Sequence, residues 1–343
     1  MKSACIVSSF PPRPCGIAAY AEQQASHLAS EGYRVTKVST VTQGEGILYF
    51  DFSSFAGLFS WISFWATHSF DRVILHYADG FYFPSPPQRL RRLVFRLADT
   101  ISLAFMALAT GATVIIHEIG VGQRIPFFTR CYRGMGLRFF PNIEFHSEAH
   151  RNSVLQSYPL LQPSKTSLRR HAAELVKAYS GSKEDARREL ELPQTRGPVF
   201  LCIGFWLPSK GFDEAITAFI QAGLPEGSLH IVGSPPKDDS GTYAASLHLM
   251  AVGHPSIHFY EATLSDEEFD RWIQASDHII LPYQSVSSSG VAARASLFEK
   301  SIVFRDLPQF REEYPEGVFF QTQHELADQF LILSNKSGQP RKD

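Results

Sequence analysis

Short apolar runs alternate with helix-patterned segments twice along this chain, and that alternation leaves few folds open. In the first half the runs are Ala4–Ser8, Val35–Val38, Arg72–His76, Thr113–His117 and Ile143–His146. Helical spacing fills the gaps, most clearly over Ile17–Ser30 and Gln88–Ala109. In the second half the runs are Val199–Ile203, Leu229–Val232, Ile257–Tyr260, His278–Leu281 and Ile302–Phe304. Short apolar runs bounded by turn residues read as buried strands. Strands that alternate with helices predict parallel, doubly wound sheets. Two such series predict an α/β protein of two Rossmann-like domains facing a cleft, with ligands at the carboxyl ends of the strands. A chain of 343 residues is long enough for both.

The joint falls between Ser164 and Arg196. Ser180-Gly181-Ser182 reads as a linker, and the charged segment from Lys183 to Leu190 reads as an exposed helix that opens the second domain. The expected division is residues 1–170 for the first domain, 171–182 for the linker, 183–330 for the second domain and 331–343 for a polar tail.

Composition excludes several classes. Hydrophobic residues make up 44% and charged residues 19%, an ordinary globular balance. The formal net charge of −2 argues against nucleic acid as a partner. Cys5, Cys15, Cys131 and Cys202 have neither metal-ligand nor CxxC spacing. They read as reduced thiols of a cytoplasmic protein, two of them packed in strands. Met1-Lys2-Ser3-Ala4 enters a strand rather than a signal-peptide apolar region. Of the two apolar stretches, Ile47–Phe70 is interrupted by Asp51 and His68 and Ile101–Ile116 is divided by Gly111. Neither meets the roughly 20 residues needed to cross a bilayer.

Two strand-to-helix turns in the second half carry the most chemistry. After the strand ending at Ile203 the chain breaks at Gly204, and a Pro208-Ser209-Lys210-Gly211 loop leads into helical spacing at Phe212, Ala215, Ile216 and Phe219. Free backbone N–H groups at such a helix start favour an anion, and Lys210 adds a mobile positive charge. A solvated lysine in an ordinary loop is the plainer reading. After the strand His278–Leu281, Pro282-Tyr283 leads to Ser285-Val286-Ser287-Ser288-Ser289-Gly290 and a small-residue helix over Val291–Phe298. A serine-glycine turn opening a helix offers N–H and O–H donors suited to phosphate, although many such turns are plain caps. Two anion-competent turns in one half-chain point to a phosphorylated ligand.

Other fingerprints fail. Gly120-Val121-Gly122-Gln123-Arg124-Ile125 has Ile where the third glycine of a dinucleotide motif belongs, and Lys210 lacks the flanking residues of a Walker loop. No His, Cys, Asp or Glu cluster has metal-ligand spacing, so no metal site is expected.

At these residues the chain resembles glycosyltransferase family 4, whose members have the GT-B fold. The strand glycine followed by Leu207-Pro208-Ser209-Lys210-Gly211 and a helix is similar to that family's donor-phosphate segment. The stretch from Pro282-Tyr283 to Ala295, with the neighbourhood of Arg305 to Glu313, is similar to its second donor motif. Phe10 to Tyr20, with Cys15-Gly16, looks like its first strand-to-helix turn, which usually carries a Gly-Gly pair. The resemblance runs over nearly the whole chain, and its specificity lies in the combination and order of the motifs. It implies donor contacts from Gly16, Lys210, Tyr283, Ser288, Ser289 and Gly290. It also implies a histidine near the donor sugar, best matched by His117 at a strand's carboxyl end. A satisfied strand-end histidine is the alternative. His76 ends the preceding strand and would line the acceptor side, whereas His146 and His150, at i and i+4, read as structural rather than as a metal pair.

The departures from the family pattern matter as much. Phe205 stands where the family usually has arginine, leaving Lys210 as the main cation. Counting from Pro282, Val286 and Arg294 occupy the places of two glutamates, the second of which normally holds the ribose. Arg294 is expected to contact donor, or else to pair with Glu299 or Glu312. Glu299 is expected on the same helix; Glu312 resembles the family's carboxylate in the loop after the motif, with Glu313 beside it, and a solvated loop is the favoured alternative. The chain also stops short of the C-terminal helix that usually crosses back to the first domain.

Between residues 81 and 151 nine arginines face four acids, a local net of +5. Phe127, Phe128, Tyr132, Phe139 and Phe140 are interleaved with them. Basic-aromatic surfaces suit the anionic face of a membrane; a solvated helix over buried aromatics is the alternative. The resemblance implies a retaining, metal-independent hexosyltransferase-like enzyme of polysaccharide biosynthesis. It would move sugar from a nucleotide-diphosphate sugar to a glycan or lipid-linked acceptor, in the cytoplasm or peripherally on the inner membrane face. A non-catalytic GT-B partner or scaffold is the competing class, and an epimerase of the same fold would need carboxylates that have no place here.

Overall fold

The computed structural model describes all residues except 12, 14, 15, 83–88, 122–124, 170–174, 193–196, 237–240 and 338–343, and leaves the side chains of 89–93 and 337 undescribed. Cys15, Gly122, Arg124, the first part of the expected linker and the last six residues of the expected tail therefore lie outside the described residues. So do the side chains of Arg89, Arg91 and Arg92. The chain divides into two compact units, Met1–Glu174 and Leu175–Asp343.

In the first unit the strands are β1 (Lys2–Val7), β2 (Tyr33–Ser39), β3 (Ile47–Tyr49), β4 (Arg72–Ala78), β5 (Thr113–Glu118), β6 (Asn142–Phe145) and β7 (Thr166–Leu168). They form a parallel sheet in the order β3-β2-β1-β4-β5-β6-β7. Its described helices are α1 (Gly16–Ser30), α2 (Phe55–Thr67), α3 (Asp79–Tyr82), α4 (Arg89–Thr110), α5 (Phe127–Leu137) and α6 (Glu148–Ser157). The two-residue period of a strand sorts its side chains by face. Cys5, Val7, Leu75, Tyr77, Val114 and Ile116 join Trp61 and Trp65 of α2, Phe95 and Met106 of α4 and Leu137 of α5 in one core. Each fully buried aromatic there contributes about 1.5–3 kcal/mol. The alternate residues His76, His117 and His146 turn to the other face, where α1 places Tyr20 beside them.

The second unit repeats the plan with β8 (Val199–Ile203), β9 (Ser228–Gly233), β10 (Ile257–Glu261), β11 (His278–Leu281), β12 (Ser301–Arg305) and β13 (Val318–Phe320), ordered β10-β9-β8-β11-β12-β13. Its described helices are α7 (Lys183–Glu189), α8 (Phe212–Ala222), α9 (Thr242–Met250), α10 (Asp266–Ala275), α11 (Gly290–Ser296), α12 (Pro308–Glu313) and α13 (Gln323–Ser337). A reciprocal cap between Ser182 and Asp185 starts α7 where the charged segment was expected to turn helical.

Three boundaries differ from the sequence reading. Residues 175–182 belong to the second unit rather than to a linker, because Tyr179 is buried in its core and Ala178 N donates to Asp270 Oδ2 at 2.6 Å. The tail expected from residue 331 is helical to Ser337, since α13 buries Phe330 and Leu333 against the core. Helix α11 ends at Ser296, so Glu299 is not on it. That residue lies beyond the helix with φ 54°, in the left-handed region that favours glycine.

Candidate functional site

In the second unit the loops after β8 and β11 meet backbone to backbone. The chain leaves β8 through Gly204, makes a single 3-10 turn over Pro208–Lys210 and enters α8 at Gly211, whose φ is +66°. A Cβ at Gly211 would collide with the carbonyl oxygen of Pro282. Gly211 is thus required twice, for its left-handed backbone and for the close approach. Gln284 N closes the contact by donating to Ser209 O at 2.9 Å. The outcome is that Lys210 Nζ lies 3.8 Å from the ring centroid of Tyr283, a cation–π contact that fixes the ammonium over a fully buried ring. Such contacts are worth about 0.5–2 kcal/mol. Lys210 and Tyr283, read separately from the sequence, are brought together.

The first turn of α8 carries Asp213 and Glu214, which would repel a phosphate if left bare. Both are engaged. Tyr243 Oη donates to Asp213 Oδ1 at 2.6 Å and accepts from Asp213 N at 3.3 Å. Glu214 pairs with Arg305 at the end of β12, and accepts from Gln284 Nε2 at 3.0 Å. The capping position, Gly211, has no side chain to occupy the helix N-terminus.

The serine turn is arranged differently from a free nest. Ser289 caps α11, its Oγ accepting from Ala292 N at 3.1 Å, and is buried, while Ser288 and Gly290 are half-buried. Val291, in the first turn of α11, reaches to the side of Gly204, so this helix start and the β8 loop share one edge of the sheet. Val286 packs on the apolar core.

Arg294 does not pair with Glu299 or Glu312, and its guanidinium is not available to a donor. It is 6% exposed, and each of its nitrogens has a partner on α10. Nε donates to Asp270 Oδ1 at 2.5 Å, Nη1 lies 2.9 Å from Asp266 Oδ1, and Nη2 donates to Asp266 O at 3.3 Å. Asp270 is itself fully buried and also accepts from Ala178 N. The arginine in the family's ribose position is therefore an internal tie that fixes α11, and through it the Ser288–Gly290 turn.

Glu313 is not in a solvated loop. It ends α12, a helix that sets Phe310 5.8 Å from the Tyr283 ring. Among the described residues neither Glu313 Oε1 nor the Tyr283 hydroxyl has a hydrogen-bond partner. Burial, reinforced by neighbouring Glu312, pushes the Glu313 carboxyl up to about 8. Near neutral pH it is largely protonated and can donate a hydrogen bond. Nothing in the sequence near Glu313 signals this, because the burial of a single side chain in a polar segment leaves no pattern in the residues around it.

In the first unit Gly16 opens α1 with open space where a Cβ would point. His117 is 5% exposed and sits in a ring cluster: its centroid is 5.2 Å from Tyr20, 5.0 Å from His76 and 4.9 Å from His146. His146 Nε2 lies 3.2 Å from His117 Nδ1, and His76 Nε2 lies 2.8 Å from Gln24 Oε1. Close by in the chain, Asp79 Oδ2 accepts from Gly120 N at 2.8 Å and pairs with Arg133 Nη1 at 3.0 Å, tethering the loop that leaves β5. Among the described residues no group of three His, Cys, Asp or Glu side chains is placed to hold a metal ion.

No protein-family profile matches this chain, and no curated protein matches it in sequence. Its fold does have close counterparts. Sucrose-phosphate synthase from Thermosynechococcus elongatus superposes with a TM-score of 0.70 at 14% identity, over 99% of this chain and 92% of that one. HepE of Anabaena, solved with UDP and glucose, gives 0.69 at 12% identity, over 98% and 92%. WaaG, a glycosyltransferase involved in lipopolysaccharide biosynthesis, gives 0.61 at 14% identity, over 98% and 90%. The architecture is that of the GT-B glycosyltransferases.

Replacing Arg294 by Ala leaves Asp270 as an unpaired buried charge, a change that costs about 3–5 kcal/mol. Chemical denaturation of Arg294→Ala should show a loss of that order, with nucleotide affinity of the remaining folded protein unchanged. Reduced affinity at wild-type stability would instead put Arg294 in contact with the ligand.

Proposed function

We propose that the protein transfers a sugar from a nucleotide-diphosphate sugar, with retention of anomeric configuration, to a glycan or lipid-linked acceptor. The observation that carries this reading is the interlock of the β8 and β11 loops. It sets the Lys210 ammonium, a helix N-terminus whose capping position is a glycine and a serine-glycine helix start on a single sheet edge. The comparison proteins with this fold support it: one was solved with UDP-glucose, another with ADP and acarbose.

In the proposed reaction the bond between the sugar's anomeric carbon and the β-phosphate oxygen breaks and the acceptor oxygen bonds to that carbon. The acceptor's proton passes to the departing diphosphate. The difficulty is the charge that builds on the diphosphate while the sugar becomes oxocarbenium-like. Lys210 and the backbone N–H groups at the starts of α8 and α11 supply fixed positive potential where that charge develops. Tyr283 holds the lysine, and protonated Glu313 is a neutral donor in the same neighbourhood. Gly16 and His117 are the proposed donor residues of the first unit. Lysine and backbone amides neutralise the leaving group in this scheme, so no metal is required for it.

Lys210→Met should lower nucleoside-diphosphate affinity by about 1.5–3 kcal/mol, the worth of a charge-assisted contact, and reduce donor turnover sharply while the melting transition stays cooperative. Calorimetric titration of UDP, ADP and GDP with the variant checks this, and unchanged affinity for whichever binds the wild type would remove Lys210 from the site. Donor turnover should also persist in EDTA; loss on chelation with rescue by Mg²⁺ or Mn²⁺ would contradict the metal-free scheme. A protein that binds nucleotide but neither transfers nor hydrolyses the donor would be the non-catalytic GT-B partner.

A further inference from the structure

A row of hydrogen bonds in the first unit determines where the protons sit on two histidines of neighbouring strands. His117 lies in β5, and His146 directly follows β6. Both are buried, so neighbouring groups rather than bulk water decide which ring nitrogen carries the hydrogen. His146 Nδ1 lies 3.0 Å from the backbone oxygen of Arg169, and His146 Nε2 lies 3.2 Å from His117 Nδ1.

The Arg169 carbonyl gives this row its direction. A carbonyl oxygen only accepts, so His146 Nδ1 carries the hydrogen. A neutral imidazole has one donor and one acceptor nitrogen, which makes His146 Nε2 the acceptor. His117 Nδ1 then donates to it, and the lone pair of His117 falls on Nε2. In each ring the bond made by one nitrogen sets the state of the other. The carbonyl that starts the row is itself held by the sheet. Arg169 N donates to Phe145 O at 2.8 Å, extending the pairing of β6 with β7, and the Arg169 side chain pairs with Glu144.

The rings are held in place as well. Tyr20 of α1 meets both edge-on, its centroid 5.2 Å from that of His117 and 5.8 Å from that of His146. His76 stands 5.0 Å from His117, but its Nε2 lies 2.8 Å from Gln24 Oε1 of α1. That oxygen accepts, so the hydrogen on His76 Nε2 is directed to α1 and not to His117.

We propose that His146 is a positioning residue for His117. Carrying the direction set by the Arg169 carbonyl, it holds His117 in the tautomer with hydrogen on Nδ1, so that at Nε2 His117 meets a ligand only as an acceptor. This rests on the place of His117 in the proposed donor site and adds the kind of group that His117 can face there. A hydroxyl, which has a hydrogen to give, fits; an ionised phosphate oxygen does not.

The test is ¹⁵N NMR of the full chain labelled at histidine, without ligand, at about pH 8, where an ordinary imidazole is neutral. Long-range proton–nitrogen correlations distinguish a ring nitrogen that carries hydrogen from one that carries a lone pair. The His117 signals are those missing from His117→Gln. In the wild type both His117 and His146 should show hydrogen on Nδ1 and a lone pair on Nε2. In His146→Phe, which keeps a ring but removes the acceptor, His117 should lose the Nδ1–H form as its major species. A histidine that only fills space would leave the His117 tautomer unmoved by this change. Hydrogen on His117 Nε2 in the wild type, or an unchanged His117 in a cooperatively melting His146→Phe, overturns the proposal. If His146→Phe does not fold, the wild-type spectrum decides. No nucleotide is present in this measurement, so failure here is separate from failure of the donor-site reading, which the Lys210→Met titration tests.

Discussion

The second unit is organised by backbone contacts that leave no room for a side chain. At Gly211 the loop after β8 presses on the carbonyl of Pro282 after β11, and at Gly233 the end of β9 presses on the carbonyl of Gly204 after β8. These contacts bring the carboxyl ends of β8, β9 and β11 into one surface. Lys210, on one loop, then finds the Tyr283 ring on the other. Parallel sheets place their ligands at this edge because the helix N-termini converge there. Here the convergence is fixed by glycine geometry rather than by side-chain packing.

Among the described residues, the acids that follow Lys210 in the first turn of α8 are already engaged. Asp213 and Glu214 at the start of α8 are tied to Tyr243, Arg305 and Gln284. Arg294, in a place where a carboxylate would hold a ribose in family 4, is instead consumed by Asp270 and Asp266. The inward-facing arginine supports the helix that follows the serine turn. Lys210, the Tyr283 ring and the backbone at the start of α8 are what remains at that edge of the sheet.

Much of the architecture was legible in the sequence because strands buried on both faces of a parallel sheet are short continuous apolar runs. The expected strands appear within a residue or two of their positions. The edge strands Ile47–Tyr49, Thr166–Leu168 and Val318–Phe320 were not legible, since three residues carry no periodicity and edges need no apolar run. Lys210, Tyr283 and Ser289 could be read because each belongs to a local strand-to-helix turn. The partner of Arg294 could not be, because Asp270 lies 24 residues away on another helix. The partial burial of Glu313 is not legible either, since its neighbours Arg311 and Glu312 are exposed. The exposed aromatic surface of the first unit was half visible. Phe127 and Phe128 stood out beside the arginines of α5, whereas Phe140 is buried in the core and α2 reads as an aromatic core helix until its outward-facing Phe55 and Phe59 are placed.

If the interlocked loops are the donor-phosphate site, parting them must cost binding even though no ligand-facing side chain is altered. Gly211→Ala does this, because its Cβ meets the Pro282 carbonyl and its φ of +66° is strained for alanine. The decisive measurement is calorimetric titration of nucleoside diphosphate into Gly211→Ala, with the melting transition recorded alongside. The account predicts an affinity lower by at least about ten-fold, or 1.4 kcal/mol, in a protein that still melts cooperatively. Wild-type affinity in the variant would contradict it and place the phosphates elsewhere on the chain.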